Sequence, residues 1–311
     1  MSKHGSIKLG IPKGSLEQAT LNLLEKAGWK ISVSARHYFP TSDDPELVCS
    51  LVRAQEMARY VEMGILDCGL TGLDWILENE ADVALVTDLV YSKVSNRKAC
   101  WVLAVPADSN LNDISQLAGK RIATELVNFT KKYFAERKIP VEVEFSWGAT
   151  EAKVVEGLVD AIVEVTETGT TIKAHGLKII HTLLETNTKL IANKTAYAHP
   201  LKRSKIQQLA LLLNGALMAE TKVGLKMNAR QADVKAICQI LPSITAPTVA
   251  QLYGTDWVSI ETIIDESVVR EIIPRLIELG ADGIVEYPLN KIVLGHSANS
   301  ESSWTGTSSS A

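Results

Sequence analysis

A chain of 311 residues is longer than one average hydrophobic core sustains, so two or three domains are expected. Hydrophobic residues make up 46% of it, yet no apolar run reaches the length of a membrane span, and the opening MSKHGSIKLGIPKG lacks the charged-then-apolar plan of a secretory signal, so no membrane partner and a cytoplasmic location are expected. The net charge of −4 supplies no polycationic surface, which argues against nucleic acid as a partner and leaves small anions in play, while Cys49, Cys68, Cys100 and Cys238 form no CxxC pair and read as reduced core residues.

In chain order, SIKLGI from Ser6 to Ile11 reads as a short buried strand, and the apolar residues Leu16, Leu23, Leu24 and Ala27 then recur at helical spacing until Gly28. The pattern predicts a helix over Arg53–Met63, a strand over Leu66–Leu70 and a helix over Leu73–Glu78. Strands follow at Ala99–Val105 and Arg121–Thr124, then a helix at Thr130–Arg137 that Asn128 and Thr130 are placed to cap. Ala161–Val165 is a buried strand, Thr166–Thr171 a loop, and Ile172 opens a helix. Such alternation implies a mostly parallel sheet. After Leu213 the texture changes: GALMAETKVGLKMNA reads as a strand, ADVKAICQILP as a helix, APTVAQLY and WVSIETIID as strands, SVVREIIPRLIELG as a helix and DGIVEYPLNKIVL as a last strand. This βαββαβ order is the ferredoxin-like plan. The Ser-rich end, 296–311, reads as a flexible tail.

Two stretches echo one another. MGILDCGLTGLD and EGLVDAIVEVTETG each place a Gly, an Asp three positions on, an apolar strand, and then Thr and Gly, which suggests two similar lobes with ligand loops at strand C-termini. The second ends in TETGTT, where Gly169 permits a tight bend, Thr168, Thr170 and Thr171 offer hydroxyls, and the amides of the following helix favour an anion. Glu164 and Glu167 would repel a phosphate and suit ribose hydroxyls instead, so a phosphorylated sugar fits. A Thr-rich helix cap with no ligand fits the same composition, and both readings stay open at this point.

The run from Glu151 through Gly157, Asp160 and AIVEVTETGTTIKAHGL resembles the signature of the ATP phosphoribosyltransferases. LGIPKGSL, ARYVEMGILDCGLTGLDWI and RIATELVNFTKKYF resemble that family's other blocks in the same order, and LPSITAPTVAQLYGTDWVSIETII with LIELGADGIVEYPLNKIV resembles the regulatory domain of its long form. The family commonly carries Asp where this chain has Glu164.

The resemblance implies a two-lobed, periplasmic-binding-protein-like α/β catalytic body, with lobe I at 1–91 and 179–213 and lobe II at 92–178, followed by a ferredoxin-like regulatory domain at 214–295. It implies transfer of the 5-phosphoribosyl group of phosphoribosyl pyrophosphate to N1 of ATP, with Mg2+, as the first step of histidine biosynthesis, in a homo-oligomer (dimer and hexamer) inhibited by histidine. On this reading Glu164, Thr166, Glu167, Thr168, Gly169, Thr170 and Thr171 bind phosphoribosyl pyrophosphate. Lys13, Arg53, Asp67, Thr71, Gly72 and Arg97 serve pyrophosphate or ATP, and Thr124, Glu125, Asn128 and Thr130 line the cleft. Asn228, Ala246, Thr248, Ile263 and Gly283 match positions that bind histidine. No metal ligand is assigned, and the histidines show neither HxxxH nor HExxH spacing, with His175 reading as a helix-face residue. Other readings are disfavoured: a periplasmic solute-binding module by the missing signal segment, a transcription-regulator effector domain by the lack of a basic helix-turn-helix segment, and a catalytically dead amino-acid sensor by the intact TETGTT loop.

Overall fold

In the computed structural model, which describes residues 5–33, 38–91, 98–148, 150–244 and 246–295, the first apolar run forms β1 (Ile7–Lys13) and the first amphipathic stretch α1 (Glu17–Ala27). Two short strands, β2 (Ile31–Ser32) and β3 (Thr41–Ser42), precede β4 (Leu47–Arg53), and the chain passes straight into α2 (Ala54–Glu62). Then come β5 (Cys68–Gly72), α3 (Leu73–Glu78) and β6 (Ala84–Leu89). Met57, Ala58 and Val61 of α2 pack with Leu66 and Ile76 into one core cluster of this lobe.

The second lobe holds β7 (Ala99–Pro106), a 3-10 turn at Ile114–Leu117, β8 (Arg121–Thr124), α4 (Val127–Glu136), β9 (Glu142–Phe145), α5 (Thr150–Val155), β10 (Ala161–Thr166), α6 (Thr170–Ala174) and β11 (Leu177–Thr186). Successive residues of its strands feed opposite cores, Trp101, Leu103 and Val163 on one face and Val102, Ala104 and Ile162 on the other. That two-sided burial is why these strands read as continuous apolar runs. The chain then returns with β12 (Thr188–Ala192), α7 (Lys194–Ala198) and α8 (Pro200–Ala219). The return to the first lobe, expected at 179, thus begins at Thr188, because β11 still pairs with β7.

The first sheet runs β4-β1-β5-β12-β6 and the second β11-β7-β10-β8-β9. In the first, every strand shares one direction except β12. In the second, every strand does so except β7. The mostly parallel sheet is therefore found twice, and both exceptions have one cause. The chain leaves each lobe at the C-terminal edge of its parallel strands and enters the other at the facing edge, so the entering strand must run against its neighbours.

The echoed Gly and Asp are explained at the opposite edge. Asp67, just before β5, exchanges backbone and side-chain hydrogen bonds with Lys8 of β1, its Oδ2 accepting from the Lys8 amide at 2.8 Å. Asp160, just before β10, does the same to Arg121 of β8, its Oδ2 accepting from the amide at 2.9 Å. Each carboxylate also holds a lysine, Lys202 at 2.7 Å and Lys120 at 3.1 Å. The repeat is a clamp on strand starts.

The chain divides into compact units after Leu213, a point inside α8. The second unit contains β13 (Lys222–Arg230), α9 (Val234–Ile240), β14 (Thr248–Gln251), β15 (Trp257–Asp265), α10 (Glu266–Glu278) and β16 (Asp282–Pro288), in the antiparallel order β14-β15-β13-β16. This is the ferredoxin-like arrangement, with Ile237, Val269, Ile272 and Leu276 of its helices covering one sheet face. Two boundaries differ from expectation. GALMA, expected in a strand, completes α8, and the last strand stops at Pro288 because Ile292 bonds instead to the carbonyl of Gly215 at 2.9 Å. The tail expected at 296–311 lies outside the described residues.

Candidate active site

β10 delivers Thr166 to the sheet edge facing the first lobe, and the chain bends there through Gly169 at φ 73°, a left-handed conformation that disfavours any side chain. The Gly169 amide donates to Thr166 Oγ1 at 2.8 Å, and the hydroxyls of Thr168 and Thr170 lie 2.9 Å apart. Hydroxyls therefore preorganise the bend. The helix behind it starts at Thr170, earlier than expected, and has only five residues, so its dipole contributes little and the loop's local donors matter more. His175 ends that helix with Nδ1 2.8 Å from the Thr171 carbonyl, a local pairing.

Two residues before the bend, half-buried Glu164 is pushed up to about 7 by burial and by the neighbouring Glu151 and Glu125, against the Val165 amide and the Thr150 hydroxyl. Glu125 is itself raised by burial and by Asp74, against a hydrogen bond from Gln55 of α2. This edge is thus an accumulation of carboxylates, three of them from the second lobe and one from the first, that favours an incoming cation or hydroxyl donor.

Facing it, Lys13 and Arg53 end β1 and β4 as register partners. Lys13 Nζ lies 3.9 Å from the ring centroid of Tyr38, and Arg53 Cζ lies 5.6 Å from that of Trp147, which belongs to the second lobe. Arg97 falls outside the described residues.

Several expected site residues have other work. Asp67 sits at the start of β5, the edge away from the cleft, in the clamp described above. Thr71 is fully buried and donates to the Ala54 carbonyl at 2.8 Å, fixing the start of α2. Gly72 makes room: a Cβ there would stand 1.9 Å from Asp74 Oδ1. Thr124 is also fully buried, its Oγ1 accepting from the Leu126 amide at 3.1 Å, and Thr130 lies on the buried side of α4 with no hydrogen-bond partner for its hydroxyl. Neither side chain is exposed. Asn128 is exposed and docks α4 on α3, its amide reaching Glu78 Oε1 at 3.1 Å and its Nδ2 the Glu78 carbonyl at 3.2 Å. Of that group only Glu125 faces the carboxylate cluster.

Sequence reading missed Asp74. Its carboxylate accepts from Trp101 Nε1 at 2.8 Å and its amide donates to Thr186 Oγ1 at 3.2 Å, so it ties the two lobes together. Burial raises its pKa against those hydrogen bonds. The only local signal was an acid inside the apolar run GLTGLDWI. Glu78, Gln55 and Trp147 gave no signal, because their partners lie in the other lobe.

In the second unit, Asn228, Thr248 and Ile263 project from the sheet face opposite the helices. Thr248 stands across from Glu261, Ile263 across from Gly224, and Asn228 Nδ2 lies 3.6 Å from where a Gly283 side chain would begin. Tyr287 lies over Gly224 and donates to Glu261 on the same face. Ala246 precedes β14, outside the sheet.

The family described as ATP phosphoribosyltransferase matches residues 53–215, and the family described as its C-terminal domain matches residues 219–291. Proteins named ATP phosphoribosyltransferase from Solidesulfovibrio magneticus and Desulfatibacillum aliphaticivorans are 65% and 61% identical, covering 94% and 93% of this chain and 100% and 99% of those proteins. Among solved structures, a chain of the ATP phosphoribosyl transferase (HisG:HisZ) complex from Thermotoga maritima is 27% identical with a TM-score of 0.59, over 68% of this chain and 98% of that one. Two family domains in sequence and near-complete coverage of these relatives place the chain in the ATP phosphoribosyltransferase family, in its long form.

Proposed function

We propose that the bend at 166–171 grips the 5-phosphate of phosphoribosyl pyrophosphate, that Glu164 and Glu167 accept hydrogen bonds from the ribose hydroxyls, and that Lys13 and Arg53 meet the pyrophosphate. Arg97 keeps that expected role, outside the described residues. The family reaction, the first step of histidine biosynthesis, joins N1 of ATP to C1 of the ribose as the bond from C1 to pyrophosphate breaks. N1 already carries a lone pair, so no covalent enzyme intermediate is needed, and catalysis consists of alignment together with stabilisation of the leaving group.

Among the described residues no group of three or more His, Cys, Asp or Glu forms a ready-made metal centre. Magnesium instead typically takes one or two carboxylates beside substrate phosphate oxygens, and Glu125 and Glu164 are the pair that fits, their crowding relieved by a cation. Bound there, the ion would share the charge of the departing pyrophosphate.

Histidine, we infer, binds at the outer sheet face of the second unit through Asn228, Thr248, Ile263, Gly283 and the backbone near Ala246, and inhibits. The working form is a homo-oligomer, dimeric and hexameric, in the cytoplasm; no described helix is long and apolar enough to cross a membrane. The phosphoribosyl reading is carried by one observation, a hydroxyl-rich bend at a strand end beside a carboxylate, Glu164, that burial and acidic neighbours raise to about 7. Its test is Gly169→Val, which forces a side chain into a left-handed position with Ile179 3.1 Å from the new Cβ. We expect kcat/KM for phosphoribosyl pyrophosphate to fall by about two orders of magnitude or more, with an unchanged circular dichroism spectrum. Undiminished turnover would remove the loop from the site.

A further inference from the structure

Trp147 lies in the turn that follows β9, and that turn is tied to the same sheet edge as Glu164. The Ser146 amide donates to the Thr124 carbonyl at 3.0 Å, the Ser146 hydroxyl to Thr150 Oγ1 at 3.2 Å, and the Thr150 hydroxyl bonds to Glu164. Between those anchors the indole is 64% exposed, whereas Trp101 in the same lobe is 1% exposed. Tryptophan ordinarily buries most of its large apolar surface, so a held turn that presents it to solvent calls for a partner. Its charged neighbour, Arg53, reaches it from the other lobe with Cζ 5.6 Å from the ring, and Arg53 stands in register beside Lys13. An indole and a guanidinium therefore meet beside the edge that carries Glu164, with Lys13 on the neighbouring strand end.

The second substrate is a planar base bearing three phosphates, and its N1 must reach a ribose carbon held next to Glu164. We propose that Trp147 is the stacking platform for the adenine of ATP, a positioning residue that sets the plane in which N1 approaches, with Arg53 on the same ring setting that platform beside the site of the departing pyrophosphate. This rests on the phosphoribosyl assignment above. Stacking on an aromatic side chain tolerates any base, so Trp147 supplies affinity and orientation, and selection of adenine falls to other groups.

The test is isothermal titration of the full chain with ATP and, separately, with phosphoribosyl pyrophosphate, for Trp147→Ala and Trp147→Phe. The expected result for Trp147→Ala is an ATP Kd raised about tenfold or more. Its Kd for phosphoribosyl pyrophosphate should stay within about twofold, and Trp147→Phe should recover most of the ATP affinity. Unchanged ATP affinity in Trp147→Ala overturns the proposal, with or without a change in assembly size by light scattering. Equal weakening for both substrates also overturns it, because the residue would then only shape the turn. An error in the phosphoribosyl assignment has another signature, retained phosphoribosyl pyrophosphate binding in Gly169→Val.

Discussion

Glu164 shows how one side chain stores an electrostatic cost for later use. Burial and two neighbouring carboxylates hold it at about 7 against an ordinary glutamate value of 4.5. Because the folded value is raised, its contribution to stability is fully present below the ordinary value and is lost as pH rises through about 7. Replacing it by Gln removes that loss: Glu164→Gln should stabilise the substrate-free protein by about 1–2 kcal/mol at pH 8 and by little at pH 5, in urea titrations at both pH values. A variant equally destabilised at both would show the carboxylate to be a structural partner. The same residue illustrates what a sequence reveals. TETGTT was legible because its geometry is local, set by hydroxyls and one glycine within six residues. The buried or strand-clamping settings of Asp67, Thr71, Thr124 and Thr130 were not legible, because a polar residue near a strand end reads alike whether it faces a ligand, a core or the opposite edge.

At the scale of elements, α8 was the helix hardest to foresee. Gly215 reads as a breaker, yet within the helix its missing side chain lets Ile292 and Val293 lie against it, with a Cβ there only 2.9 Å from Val293 Cγ2. Upstream, α8 is held to the first lobe by Lys205, which bridges Asp44 at 2.6 Å and Glu46 at 3.2 Å, while Trp29 Nε1 donates to Asp44 at 3.0 Å. Burial works to raise Asp44, and hydrogen bonds from Lys205, Trp29 and the Glu46 amide outweigh it and hold the carboxyl below its usual range. A depressed value contributes stability above the ordinary aspartate range and loses it as pH falls through the lowered value. Lys205→Met should therefore cost about 1–2 kcal/mol at pH 7. The gap to the parent should narrow in melts as the pH is taken progressively below the ordinary aspartate value and Asp44 becomes protonated. A gap that persists there would assign the loss to packing. The sequence reading gave no strand over β4 or β6, among others, and neither has turn residues immediately at both ends, whereas the second unit was readable strand by strand.

Across the whole molecule, the chemistry and its proposed control occupy different units of one chain. If histidine acts through the outer face of the second unit, Asn228→Ala, far along the sequence from the bend at Thr166, should raise the histidine concentration for half-inhibition by about tenfold. Turnover without histidine should stay within about twofold, and an assay of pyrophosphate release with a histidine series checks both. Unaltered inhibition would move the sensor away from that face. The two-lobed plan was legible from the echoed stretches and the family resemblance, but where the chain crosses between lobes was not, since a strand's direction is set by the edge at which it enters. That edge has a consequence for biosynthesis. β12 inserts between β5 and β6, so the first-made lobe keeps an open seam in its centre until residue 192 has left the ribosome, whereas every strand of the later lobe lies between residues 99 and 186. The nascent polypeptide must seal its second half before its first, and the open flanks of β5 and β6 are the surfaces a chaperone would have to shield meanwhile.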